Sequence, residues 1–140
     1  MRAHWLKGIG HARASLPEAW LTEGRASILD RTGFPRRPRI EPGDRLVYYA
    51  AGWRCVFAVV EAVAEPTDKV RHTSNPGRWP WSIAVEPLLV IPRLENAPPV
   101  EAIGVAARSM SQQSHIRIEA GHYAHAVEAM ASVALPAPQG

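Results

Sequence analysis

Trp79 and Trp81 stand two residues apart, directly ahead of the apolar run Ser82-Ile83-Ala84-Val85. In an extended chain residues i and i+2 share a face, so two indoles can project together at the mouth of a strand. Trp5, Tyr48, Tyr49 and Trp53 also fall at or near the ends of expected strands. Taken singly, each ring serves as well to fill a core. Gathered at strand ends, they can hold a flat group by stacking, which for a nucleobase contributes roughly 1–3 kcal/mol per ring-stacked base. The segment 30–45 adds Arg31, Arg36, Arg37, Arg39 and Arg45. A guanidinium offers a planar fork that matches phosphate, so an anionic partner is expected there. The overall formal charge of +3 is mild and by itself a weak pointer to nucleic acid.

Other chemistry is poorly served. His4 and His11 flank the first expected strand, and His122 and His125 lie three apart on a helix with Glu119 and Glu128 nearby. A zinc site needs a fuller ligand set, so an amphipathic helix surface accounts better for that pair, and no metal is expected. No nucleophile elbow, phosphate loop or zincin motif occurs. The run Gly8-Ile9-Gly10-His11 begins like a dinucleotide fingerprint but lacks the third glycine. Cys55, the only cysteine, opens an apolar strand and reads as an inert buried thiol. Neither a catalytic residue nor a cofactor is expected from the residues alone.

The elements that must position the rings follow from periodicity and turn signals. The 140 residues suit one domain with 46% apolar and 21% charged residues, a globular composition. No apolar run is long enough for a membrane helix, and a single cysteine makes a cytoplasmic setting the default. Strands are expected at 4–10, 45–50, 54–65, 81–91 and 114–119, the second and third forming a hairpin. Pro87 implies a bulge or an open edge within its strand. Residues 15–24 read as a helix, with Ser15 and Glu18 at capping-box spacing. Residues 30–43 and 66–80 read as loops, and Tyr123, Val127 and Met130 mark a closing helix face. A tail at 135–140 should fray, leaving a single domain over 1–134. Such a mixture gives a small α+β domain around a curled sheet, and covering the strand edges favours a partly closed barrel.

Five segments in order carry a family resemblance: HWLKGI, IEPGDRLVYYA, FAVVEAVAE, RWPWSIAV and SHIRIEAGHYAHAV. They resemble the EVE domain, a PUA-like family similar to the YTH domains that read methylated adenine. The likeness spans roughly residues 4–130. It implies a mixed α/β pseudobarrel, with a curled sheet of five to six strands flanked by short helices. It also implies a pocket for a modified base of DNA or RNA, extruded from its strand. By position the pocket would draw on Trp5, Lys7, Gly8, Tyr48, Tyr49, Trp53, Trp79, Trp81, Ser111 and Gln112. Arg36, Arg37 and Arg39 would track phosphates. This chain has Ser82 where many relatives carry arginine, and Gln112-Gln113 where several carry two arginines. Two alternatives stand beside this reading. One is a protein-interaction module, including self-association into a homodimer. The other is a small hydrolase of modified nucleosides, similar to the ASCH group, with Lys7 as base and Glu61 as partner.

Overall fold

The computed structural model describes residues 2–11, 13–72 and 76–134. Its strands are β1 (His4–Ile9), β2 (Arg31–Phe34), β3 (Arg45–Ala50), β4 (Cys55–Ala62), β5 (Trp81–Val90) and β6 (His115–Ile118). They form one sheet in the order β2-β5-β4-β3-β1-β6. β1 runs parallel to β3, and the remaining neighbours are antiparallel. One helix, α1 (Ala120–Ala131), and short 3-10 turns complete the described residues.

β4 is apolar at nearly every position because both of its faces are covered. Tyr48 and Phe57 pack on the inner side with Trp20 edge-on to Phe57, while α1 lies across the outer side. α1 starts at a capping box between Glu119 and His122. It buries Ala126 and Met130, and Tyr123 meets His4 with ring centroids 4.4 Å apart.

The sheet curls strongly. Laid flat, β2 and β6 would stand five strand spacings apart, about 24 Å. Instead the rings of Phe34 on β2 and His115 on β6 lie 5.1 Å apart, centroid to centroid. Bulges between Tyr48 and Tyr49 and between Val59 and Val60 supply the bend. The edges meet through side chains and not through a backbone ladder, so the barrel has an open seam. Pro87 lies beside the second bulge. β2 accompanies β5 only as far as Ala84, so the missing amide of Pro87 faces an open edge, as expected.

Two expectations fail. Residues 18–24 form turns, not a helix, because Trp20 is drawn fully inside and its indole donates to the Ile91 carbonyl at 3.0 Å. Tertiary burial there outweighs a short segment that must first nucleate a helix. The expected loop at 30–43 contains β2, whose Thr32 and Phe34 point inward. Four residues with a glycine among them are too few to declare alternation. Gly33 is required: a side chain there would collide with the His72 ring that crosses it. Residues 73–75 of the second expected loop, and the tail at 135–140, lie outside the described residues.

Candidate binding site at the barrel seam

On β1 the alternation sends Trp5 and Lys7 to the inner face, and the antiparallel partners on β6 are Arg117 and His115. Lys7 therefore faces His115 directly, and Phe34 reaches them from across the seam. The Lys7 ammonium lies 4.8 Å from the Phe34 ring centroid and 5.6 Å from that of Trp79. His115 is sandwiched further by Trp5, with centroids 5.6 Å apart. Lys7 is only 3% exposed, and its hydrogen bond goes to the carbonyl of Gly8 at 2.8 Å. Burial lowers its pKa to about 7, with no carboxylate to oppose the effect. Burial, and then the Lys7 charge, lower His115 to about 4, so the imidazole is neutral at physiological pH. The Ser114 hydroxyl and His115 Nδ1 are 2.6 Å apart, which fixes the ring. Gly8 donates its amide to the Ser114 carbonyl at 2.9 Å, locking the 110–114 turn onto β1.

Beside this enclosure runs a cleft of about 440 Å³ lined by Ala3, Trp5, Arg39, Glu41, Asp44 and Arg117. Trp5 joins the two spaces. Its indole donates to Asp44 Oδ2 at 3.0 Å, while Asp44 also accepts from the Ala3 and Glu41 amides. Burial alone would push this carboxyl up. The Ala3, Glu41 and Trp5 donors outweigh it and hold the pKa below the usual value. Among the described residues neither Arg39 nor Arg117 is ion-paired, so both guanidiniums are available to an anion.

The expected pocket residues divide between the two ends of the sheet. Trp5, Lys7, Gly8 and Trp79 come together at the seam. Trp81 pairs with Phe34 in register, and its ring carries the Arg37 guanidinium at 5.2 Å. Thus the two indoles of the opening motif engage different cations, Trp79 meeting Lys7 and Trp81 meeting Arg37. Arg37 also ion-pairs weakly with Glu65 at 4.0 Å, Arg39 lines the cleft, and Arg36 is exposed. Ser111 and Gln112 are exposed on the turn that follows Met110, next to the Gly8 contact. Three aromatics do not join. Trp53 sits in the β3–β4 turn, beyond the strand end opposite to Trp5, and bonds the Leu16 carbonyl at 2.9 Å. Tyr48 is wholly buried and donates to the Ile28 carbonyl at 2.5 Å. Tyr49 lies beside Gly8 in register but is buried on the face opposite to Lys7. The hydrolytic pairing also fails, because Glu61 is taken by Arg45 at 3.3 Å and Arg2 at 3.8 Å. Arg45 in turn bonds Tyr123 of the outer helix, on the face opposite to Lys7.

Phe34, His115, Asp44 and Arg117 belong to the site and were not anticipated. For His115 and Arg117 a signal existed in the alternation of 115–118, which puts both on one face. Cys55 is as inert as its setting suggested, since burial pushes the thiol up to about 11. A thiol reagent at neutral pH should therefore leave the native protein unlabelled and react fully once it is denatured, as read by intact mass.

No protein-family model matches the chain, and no curated protein matches it. Its fold is similar to that of several solved structures. A crystal structure of a protein from Agrobacterium tumefaciens aligns over 97% of this chain and 96% of its own, at 13% identity and TM-score 0.57. A hypothetical protein from Leishmania major aligns over 94% and 96%, at 11% identity and TM-score 0.56. A protein from Pseudomonas putida aligns over 91% and 99%, at 12% identity and TM-score 0.54. At these identities the likeness concerns the fold: a curled, barrel-like mixed sheet that recurs over the full length of each chain.

Proposed function

We propose that the seam binds a flat, base-like group presented by a nucleic acid strand, within a PUA-like pseudobarrel of the EVE type. One observation carries the reading. Lys7 is held without a carboxylate among Phe34, Trp79 and His115, with Arg78 against the Trp79 ring and Arg39 and Arg117 in the neighbouring cleft that Trp5 also lines. The rings supply stacking surface, and Lys7 supplies a hydrogen-bond donor for a base edge. Arg37, Arg39, Arg78 and Arg117 all lie at this end of the sheet, where phosphates flanking an extruded base would run. Extruding a base costs a few kcal/mol, least for a single strand or a modified base.

The experiment is a titration of intrinsic tryptophan fluorescence with short single strands carrying different modified bases, in parallel with Trp79→Ala. Trp79 is half-exposed, so its removal should cost little stability while weakening binding by about 1–3 kcal/mol. Affinity should also fall steeply with salt. Binding that is equal in both proteins, or absent at low salt for every strand, would overturn the reading.

A further inference from the structure

We propose that Lys7 is a nucleophilic amine that condenses with a flat aromatic aldehyde, a formyl-bearing nucleobase in a strand, to form an imine inside the seam. The proposal rests on the reading of the seam as a pocket for a base and names the substituent that the pocket selects.

The geometry is that of an activated lysine. Its amine is enclosed by Phe34 and Trp79 and faces an imidazole, and its hydrogen bond is to a neutral carbonyl, that of Gly8. A lysine used for structure or charge pairing would have a carboxylate at hand. Here Glu61, the acid expected to serve it, is committed to the outer face. Desolvation in an apolar pocket is the general means by which proteins free a lysine for attack on carbonyls. With a pKa of about 7, roughly half of Lys7 is unprotonated at neutral pH. An ordinary exposed lysine holds about a thousandfold less free amine at that pH. The remaining groups favour the product. The rings of Phe34 and Trp79 attract the cationic protonated imine. His115, being neutral, adds no repelling charge. Trp79 is the half-exposed wall of the enclosure, so a ligand enters by displacing it.

The step balances without an added oxidant or reductant. The Lys7 lone pair attacks the formyl carbon, and the carbonyl oxygen takes up a proton to give a carbinolamine. That proton comes from the attacking nitrogen. The hydroxyl then leaves as water with a second proton taken from solvent, while the nitrogen lone pair closes the C=N bond and nitrogen keeps one hydrogen as the protonated imine. Water restores the aldehyde.

The chain supplies its own control, since it holds two lysines, Lys7 and the exposed Lys69. Full-length protein at neutral pH is treated with pyridoxal phosphate or with a single strand containing one formylcytosine, then with borohydride, and the adduct is mapped by mass spectrometry. Tryptophan quenching by the same strand, formylated and unformylated, is followed without borohydride. Reduced adduct should form at Lys7 at least about tenfold faster than at Lys69, and Lys7→Met should lose it while still folding and still leaving Lys69 to react. Strand-induced quenching with adduct only at Lys69, or with none, would overturn the imine and leave the base pocket standing. Adduct at Lys7 with pyridoxal phosphate, but neither quenching nor adduct with any strand, would support the amine chemistry and overturn the nucleic-acid partner. Neither quenching nor adduct would overturn both.

Discussion

Lys7→Met should make the protein more stable at and below neutral pH and remove a pH dependence that the wild type shows. The wild-type lysine has a folded-state pKa of about 7, lowered by burial, whereas an unfolded chain returns it to about 10.4. Between these values the unfolded state holds a proton that the folded state lacks. Unfolding free energy must therefore rise with pH across that window, by up to about 1.4 kcal/mol per unit. Below pH 7 both states are charged, and the native state bears the full cost of a desolvated ammonium. Methionine keeps the length and fills the space without charge, at the loss of cation–π contact with Phe34 and Trp79. A net gain on the order of 2–4 kcal/mol is expected near pH 6, shrinking towards pH 10. A second, shorter ramp should persist in both proteins between about pH 4 and 6.5. There the unfolded chain protonates His115 and the folded one, with its pKa lowered to about 4 by burial and by Lys7, does not. In the Met variant the loss of the Lys7 charge should soften that ramp. Urea unfolding of both proteins at pH 6, 8 and 10 is the measurement. Equal stabilities at all three would mean that Lys7 is solvated. A measured gain would mean that Lys7 serves something other than stability, as the proposed imine chemistry requires.

The sheet was legible in the sequence where patterning is long. The runs of β3 and β4 and the alternation of β6 each show as strands, and Pro87 announces its own bulge. β2 was not legible, because the four residues Arg31–Phe34 lie among arginines and prolines and become a strand only by pairing with β5. That omission had consequences for the site, since Phe34 enters it from β2. The aromatic content also divides in a way that composition cannot show. Trp5 and Trp79 were placed at strand mouths and do line the seam, but Trp53 lies at the far end because β1 and β3 run parallel and the turn follows β3. Tyr48 and Tyr49 follow one another along a strand, so alternation sends their rings to opposite faces and only Tyr48 shares the inner face with Lys7. Lys7 was named from a resemblance. Its burial and its lack of a carboxylate arise only when the two sheet edges meet, which no local pattern encodes.

Asp44→Ala should be the most damaging single change at this end of the barrel, at about 3 kcal/mol. The side chain is 3% exposed and accepts three hydrogen bonds, from the Ala3 amide at 2.9 Å and from the Trp5 indole and the Glu41 amide at 3.0 Å each. Together these close the turn Glu41-Pro42-Gly43 ahead of β3, hold the start of β1 beside it, and orient the ring that floors the cleft. Removing the carboxylate leaves three donors to find water at a buried site, which costs more than the bonds contributed. Asp44→Asn should recover little, because its amide nitrogen meets a donor where an acceptor is needed. The folded carboxyl has a lowered pKa, so its contribution is present above the ordinary carboxylate range and is lost as pH falls through the folded value. The wild type should consequently lose its advantage over the Ala variant in acid, and the two unfolding curves should converge there. The Trp5 indole, freed from Asp44, should change fluorescence in the folded variant and loosen the seam proposed to bind a base. Ligand affinity should therefore fall along with stability in Asp44→Ala. Trp79→Ala, by contrast, should weaken binding alone, and that separation of the two effects distinguishes a residue that positions a wall from one that is the wall.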